Sequence, residues 1–123
     1  MLKVEYYNPS DEKKGCVFRS LSKALNKSYD EVKEDLRDIG NSIGVDDLLD
    51  DKVFDTYLLN NGYKEINIYK DTYLLDNKYD DVNLVYSYSD DWYHMICIID
   101  NVIYDKFDLD RLKNLKVIKI YKK

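Results

Sequence analysis

The spacing of apolar residues changes once along this chain, from a period of three to four to a period of two. From Cys16 to about Asn26 they fall at Val17, Leu21, Ala24 and Leu25. That spacing predicts a helix with one buried stripe. Ser28-Tyr29-Asp30-Glu31 fits a capping box, in which the Ser28 hydroxyl accepts from the Glu31 amide. It predicts a second helix running to about Asp38 and stopping near Gly40. Residues 40–50 read as a loop with one helical turn near Val45–Leu49. Asp50 or Asp51 can cap a third helix carrying Val53, Phe54, Tyr57 and Leu58, with Gly62 at its end. Beyond this point the pattern alternates. Ile66–Ile68, Val82–Tyr88, Tyr93–Ile99, Val102–Phe107 and Val117–Tyr121 are rich in Val, Ile and Tyr and predict strands. Leu2 to Tyr7 alternates too and predicts a short edge strand, followed by a turn at Asn8-Pro9-Ser10-Asp11. Residues 69–81 fit either a short helix or a loop. Asp100-Asn101 suits a two-residue hairpin, because Asn tolerates positive φ.

Helices followed by an antiparallel sheet make an α+β chain, with N-terminal helices packed on a C-terminal sheet. Its 123 residues fit one domain, 1–123. A chain of that size buries about two thirds of its unfolded surface, so it needs neither disulfide nor metal to fold. The 13 tyrosines predict a core rim built from rings with polar tips.

Charge and cysteine content narrow the function. A net charge of −5 argues against a nucleic-acid binder. No apolar run reaches the roughly 18 residues of a membrane span, so no membrane partner is expected. The N-terminus lacks a basic region followed by an apolar stretch, so no signal peptide is expected either. A reducing cytoplasm, bacterial or that of a phage-infected host, is the expected location, with Cys16 and Cys97 as free thiols. The Lys, Asn, Asp, Ile and Tyr content fits an AT-rich genome. One His and two Cys cannot supply a usual metal ligand set, and 4 scattered glycines make no phosphate loop, so no cofactor or metal is expected.

The chemistry concentrates in a few residues. Cys16 follows a glycine and opens a helix, where unpaired amides and the helix dipole favour thiolate. His94 is the one histidine, so any His-dependent mechanism must use it. With Asp100-Asn101 as the turn, Ile99 faces Val102, Ile96 faces Asp105, and His94 faces Phe107. His94, Ile96, Ile98, Ile103, Asp105 and Phe107 then share one face. Asp105 becomes a diagonal neighbour of His94, while Asp108 falls on the other face. Phe107 can shield the His94–Asp105 bond from water, or be, like Trp92, a plain core or rim aromatic. Cys97 lies opposite His94, as a buried structural thiol.

The run Gly15-Cys16-Val17-Phe18-Arg19-Ser20-Leu21, preceded by Asn8-Pro9, resembles a motif of small papain-like cysteine peptidases of phages and bacteria. Those proteins carry Gly-Asp-Cys-x-x-Arg-Ala, then a His strand, an Asp-Gly turn and Tyr-Asp-Thr-Trp-Asp. Here His94, Asp100-Asn101 and Tyr104-Asp105-Lys106-Phe107-Asp108 follow in matching order. Phe54 to Tyr63 resembles the family's helix end. The likeness omits residues 38–50 and 65–85. Three positions depart from it: Gly15 precedes the Cys directly, Ser20 replaces Ala, and Phe107 replaces Trp.

The resemblance implies a papain-like fold and a cysteine hydrolase, a peptidase or amidase acting on a protein or peptide amide or isopeptide. Cys16 is its nucleophile, His94 its base and Asp105 the acid that orients the base. The Cys16 amide is one oxyanion donor, and Asn8 is the one side-chain amide in reach for a second. Arg19 is expected to pair with a carboxylate from segments 46–51 or 76–81. Two other readings compete. One is a papain-like binding protein that has lost catalysis, such as a phage inhibitor of a host protein. The other is a virion assembly protein. A binder has no need of a thiolate, so Cys16 chemistry separates it from an enzyme.

Overall fold

The computed structural model describes residues 2–123 of the chain. These described residues form a mixed α+β structure with four helices and a six-stranded sheet. Strand β1 (Lys3–Tyr6) leads to helices α1 (Cys16–Leu25), α2 (Tyr29–Ile43) and α3 (Asp51–Asn60). Then follow β2 (Lys64–Ile66), β3 (Val82–Ser89), β4 (Trp92–Ile99), β5 (Val102–Asp105), the short helix α4 (Leu109–Leu112) and β6 (Lys116–Lys122).

The sheet order is β1-β5-β4-β3-β6-β2. It is not purely antiparallel and not purely C-terminal, as the periodicity suggested. The N-terminal strand β1 pairs with β5 in parallel, Lys3 against Val102 through Tyr6 against Asp105. Parallel pairing needs a long crossover between the two strands, and α1 to β4 provide it. The β4–β5 hairpin turns at Asp100 and Asn101, with φ of 48° and 65°. Both values belong to the tight hairpin turn that Asx residues tolerate. Ile99 pairs with Val102, Ile98 with Ile103 and Cys97 with Tyr104.

Alternation along the strands splits the core into two layers. Leu84, Met95, Cys97 and Tyr121 face the helices and pack with Leu21, Val32, Leu36, Phe54 and Leu58. Val85, Ile96, Ile98 and Ile120 face the other way, onto Leu74, Tyr79, Leu112 and Leu115. That second face is covered by irregular chain. Residues 69–81 are a loop with a single 3₁₀ turn at Leu74–Asp76, anchored by the buried Leu74 and Tyr79.

Local signals explain most helix boundaries. The Ser28 hydroxyl accepts from the Glu31 amide at 3.1 Å and opens α2. The Asp50 carboxylate accepts from the Lys52 amide at 2.9 Å and opens α3. Helix α2 nevertheless runs past Gly40 to Ile43, and Gly44, at φ 75°, ends it. Gly40 is retained inside the helix for space. A Cβ there would sit 2.6 Å from the Val45 carbonyl oxygen. Residues 45–50 form a turn, with the Asp50 amide donating to the Asp47 carbonyl, rather than a helical turn. Strand β2 pairs Lys64 with Lys122 and Ile66 with Ile120, two residues earlier than expected. Ile68 is half exposed and outside the sheet.

Candidate active site

The site forms where the sheet is incomplete. The β4–β5 ladder ends at Cys97 and Tyr104, and β5 stops at Asp105. The expected pairings of Ile96 with Asp105 and His94 with Phe107 therefore do not extend the ladder. The Asp105 side chain accounts for the stop. Its Oδ1 accepts from the backbone amides of Lys106 (2.6 Å) and Phe107 (3.4 Å), which turns the chain away. The facing edge of β4 is thus open around Met95.

Helix α1 fills that opening. The Ser20 hydroxyl donates to the Met95 carbonyl at 2.7 Å. The Met95 backbone also helps to lower the pKa of the Cys16 thiol. The Ser20 bond satisfies a strand carbonyl that has no strand partner on this side, as buried backbone requires. It also sets the first residue of α1 beside β4, and Cys16 lines the same cavity as His94.

His94 and Asp105 are each about 1 % exposed. Asp105 Oδ2 lies 2.6 Å from His94 Nε2, which leaves Nδ1 for the thiol. Asp105 Oδ1 meets Arg19 Nη2 at 3.2 Å. Arg19 pairs here, and not with the acidic segments 46–51 or 76–81. It lies one turn into α1, on the buried face that packs against the sheet, and is itself 2 % exposed. A buried carboxylate is costly unless every oxygen is matched. Here a guanidinium, an imidazole and two amides match it.

The same contacts tune the site. Burial pushes the Cys16 thiol up, but His94, through a hydrogen bond and its charge, outweighs that with help from Met95 and Arg19. The net effect is a thiol below its ordinary range. Burial also pushes His94 down, and its interactions with the accepting Asp105 carboxylate and with Cys16 reverse this, leaving its pKa raised. Both shifts favour a thiolate beside an imidazolium. The first turn of α1 adds to this. Gly15 provides no side-chain cap, and the turn carries no acidic residue. Its amides and the positive end of the dipole stay available.

Aromatic rings seal the imidazole. Trp92 stacks on His94 with centroids 4.6 Å apart and planes 28° apart. Phe107 meets His94 edge-on at 5.5 Å. The Arg111 guanidinium covers the far face of the arrangement, 3.9 Å from the Trp92 ring centre. From the sequence Trp92 reads as a plain core or rim aromatic, and the structure puts it against His94. Strand alternation held the signal, since residue 92 shares a face with residue 94.

Cys16, His94 and Arg19 line a cavity of about 320 Å³. Asn8 does not line it. Its amide nitrogen points to the Tyr6 hydroxyl at 3.5 Å, and its carbonyl oxygen is buried without a partner. Cys97 sits in the helical layer, fully buried, with its thiol pushed up to about 12 by burial. Among the described residues, no group of three or more His, Cys, Asp or Glu side chains is arranged to hold a metal ion. None of the helices among the described residues is long and apolar enough to cross a membrane. Searches against protein-family models, curated proteins and solved structures found no match to this chain.

Proposed function

We propose that this chain is a papain-like cysteine hydrolase that cleaves an amide or isopeptide bond in a protein or peptide. The observation that carries this reading is the chain of contacts from Cys16 through His94 to the buried Asp105. A thiol at an uncapped helix start shares a cavity wall with an imidazole that lowers its pKa, and that imidazole is held at 2.6 Å by a carboxylate. The layout of a Cys-bearing helix beside a His-bearing strand is the one the papain-like resemblance implies.

In this reading the Cys16 proton rests on His94. The thiolate attacks the substrate carbonyl carbon and forms a C–S bond. The carbonyl oxygen takes the negative charge and is met by the Cys16 backbone amide at the start of α1. The tetrahedral intermediate collapses, the C–N bond breaks, and the amine leaves with the proton from His94. Water then attacks the thioester while His94 accepts its proton. The C–S bond breaks, a carboxylic acid departs, and the thiol site is restored. Asp105 fixes the imidazole tautomer so that Nδ1 faces sulfur. Trp92 and Phe107 keep water from the His94–Asp105 bond, which strengthens it.

The test is hydrolysis of a panel of fluorogenic peptide amides and isopeptide-linked peptides by the whole chain. Cleavage that is blocked by iodoacetamide and absent in Cys16→Ala is the expected result. Cleavage that persists in Cys16→Ala would move the chemistry elsewhere. A chain with no cleavage and an ordinary Cys16 thiol would be a binding protein.

A further inference from the structure

The charge around the Cys16 cavity is opposite to that of the chain. The whole molecule carries −5. The cavity is lined by Lys13, Lys14 and Lys106, with Asp91 on the acidic side, and by Arg19, whose charge Asp105 meets at 3.2 Å. Lys13, Lys14 and Lys106 form no ion pair among the described residues. The Lys106 ammonium lies 5.1 Å from the Phe107 ring centre, at the cavity wall. Arg19 is 2 % exposed, and its Nε has no hydrogen-bond partner.

The helix that opens here differs from the others in the same sense. Helices α2, α3 and α4 are capped by Ser28, Asp50 and Asp108, and each has an acidic residue in its first turn. Helix α1 has neither. Its first turn has no acidic side chain, and Lys13 and Lys14 precede it by two or three residues. Cations gathered at one low-dielectric wall focus a positive potential on the cavity. The attack of a thiolate on an uncharged amide does not need so much positive charge. A single oxyanion is served by one or two donors.

We infer that the substrate presents a carboxylate beside the bond that Cys16 attacks. This rests on the thiol-hydrolase reading and names its substrate class: acidic peptides, or peptides attacked near a free C-terminus. Lys13, Lys14 and Lys106 receive the carboxylate, while Trp92 and Phe107 give the apolar wall against which the neighbouring chain lies. The carboxylate comes from an Asp or Glu side chain or from a terminal α-carboxyl group, and the chemistry of recognition is the same.

Two alkylating agents test this without a known substrate. Iodoacetate and iodoacetamide react alike, the thiolate displacing iodide from a CH₂ carbon, but only iodoacetate carries a carboxylate there. The chain is used whole, with Cys97→Ala as background. The ratio of the two rates at Cys16 is compared with the ratio for N-acetylcysteinamide. At low ionic strength the Cys16 ratio is expected to exceed the reference by about tenfold or more. It should collapse toward the reference at high salt. It should also fall stepwise in Lys13→Gln, Lys14→Gln and Lys106→Gln. A ratio at or below the reference, or one that ignores all three substitutions, overturns the inference. The iodoacetamide rate judges the hydrolase reading separately, because that reagent is neutral. A second arm identifies the source. N-acetylaspartamide offers only a side-chain carboxylate, N-acetylasparagine only an α-carboxylate, and N-acetylasparaginamide none. Stronger protection of Cys16 by the first or the second supports the inference and names the source. Equal protection by all three contradicts it.

Discussion

The two cysteines of this chain are chemically identical and lie in opposite environments. Cys16 opens α1 beside His94, and its thiol is held below the ordinary range. Cys97 is enclosed by the helical layer of the core, and burial pushes its thiol up to about 12. Both are desolvated. The difference is that Cys16 has something to offset the desolvation, an imidazole and an uncapped helix start. The lowered thiol therefore lies at the interruption of the sheet, where strand β5 ends and α1 takes its place. The uninterrupted part of the same strand β4 makes only core.

Replacing each cysteine should give the largest contrast. Cys16→Ala is expected to abolish both hydrolysis and iodoacetamide labelling at pH 7, while Cys97→Ala keeps both, read by mass spectrometry and by peptide cleavage. Removing the imidazole should come next. His94→Ala is expected to lower the rate of hydrolysis by about 10²–10⁴-fold, the usual worth of a positioned acid–base group. If His94→Ala cleaves at the wild-type rate, Cys16 is not activated by it. Displacing the helix start should matter less. At Gly15 an added Cβ would lie 2.5 Å from the Tyr29 hydroxyl, which Glu12 holds at 2.8 Å. Gly15→Ala is expected to cost about 1–3 kcal/mol in a denaturant titration and to slow Cys16 labelling by roughly tenfold. Tyr29→Phe in the same chain should restore part of both losses. The smallest functional effect belongs to Cys97→Ser. It puts a hydroxyl into an apolar layer and should cost about 1–3 kcal/mol of stability, with the rate at Cys16 changed by less than roughly twofold. A large loss of rate in Cys97→Ser would link the two regions that the comparison separates.

The pH dependence follows from the two shifts at the site. A thiol with a lowered pKa ionises at a lower pH than a free thiol, so the rate rises early on the acid side. An imidazole with a raised pKa keeps its proton beyond the ordinary range, so the rate falls late on the alkaline side. Hydrolysis should be bell-shaped, with its plateau between the two folded values. Loss of His94 removes the upper limb and moves the lower limb upward.

What could be read from the chain was local. Asp100-Asn101 fixes a two-residue turn, and the turn fixes the register from Ile99 and Val102 outward. That register is enough to bring Asp105 next to His94. The Cys16 helix, its Asn26 end and the Ser28 cap follow from spacing and side-chain chemistry within a few residues. What could not be read depends on distant chain. Gly40 resembles a helix stop, and only the closely crossing Val45 backbone makes it a helix interior. Arg19 has many acidic candidates in the sequence, and only the packing of α1 against β4 and β5 selects Asp105. The parallel pairing of β1 with β5 joins residues about a hundred positions apart, a contact with no local signature. Asn8 looked like a donor because it precedes Cys16 closely, yet the loop carries its amide away to Tyr6.

The pH profile of Cys16 alkylation by iodoacetamide, in Cys97→Ala with and without His94→Ala, tests the central claim most directly. The account predicts a thiol that titrates below the reference of about 8.5 and shifts upward when His94 is removed. A Cys16 that titrates at or above the reference, with the same profile in both proteins, would contradict it.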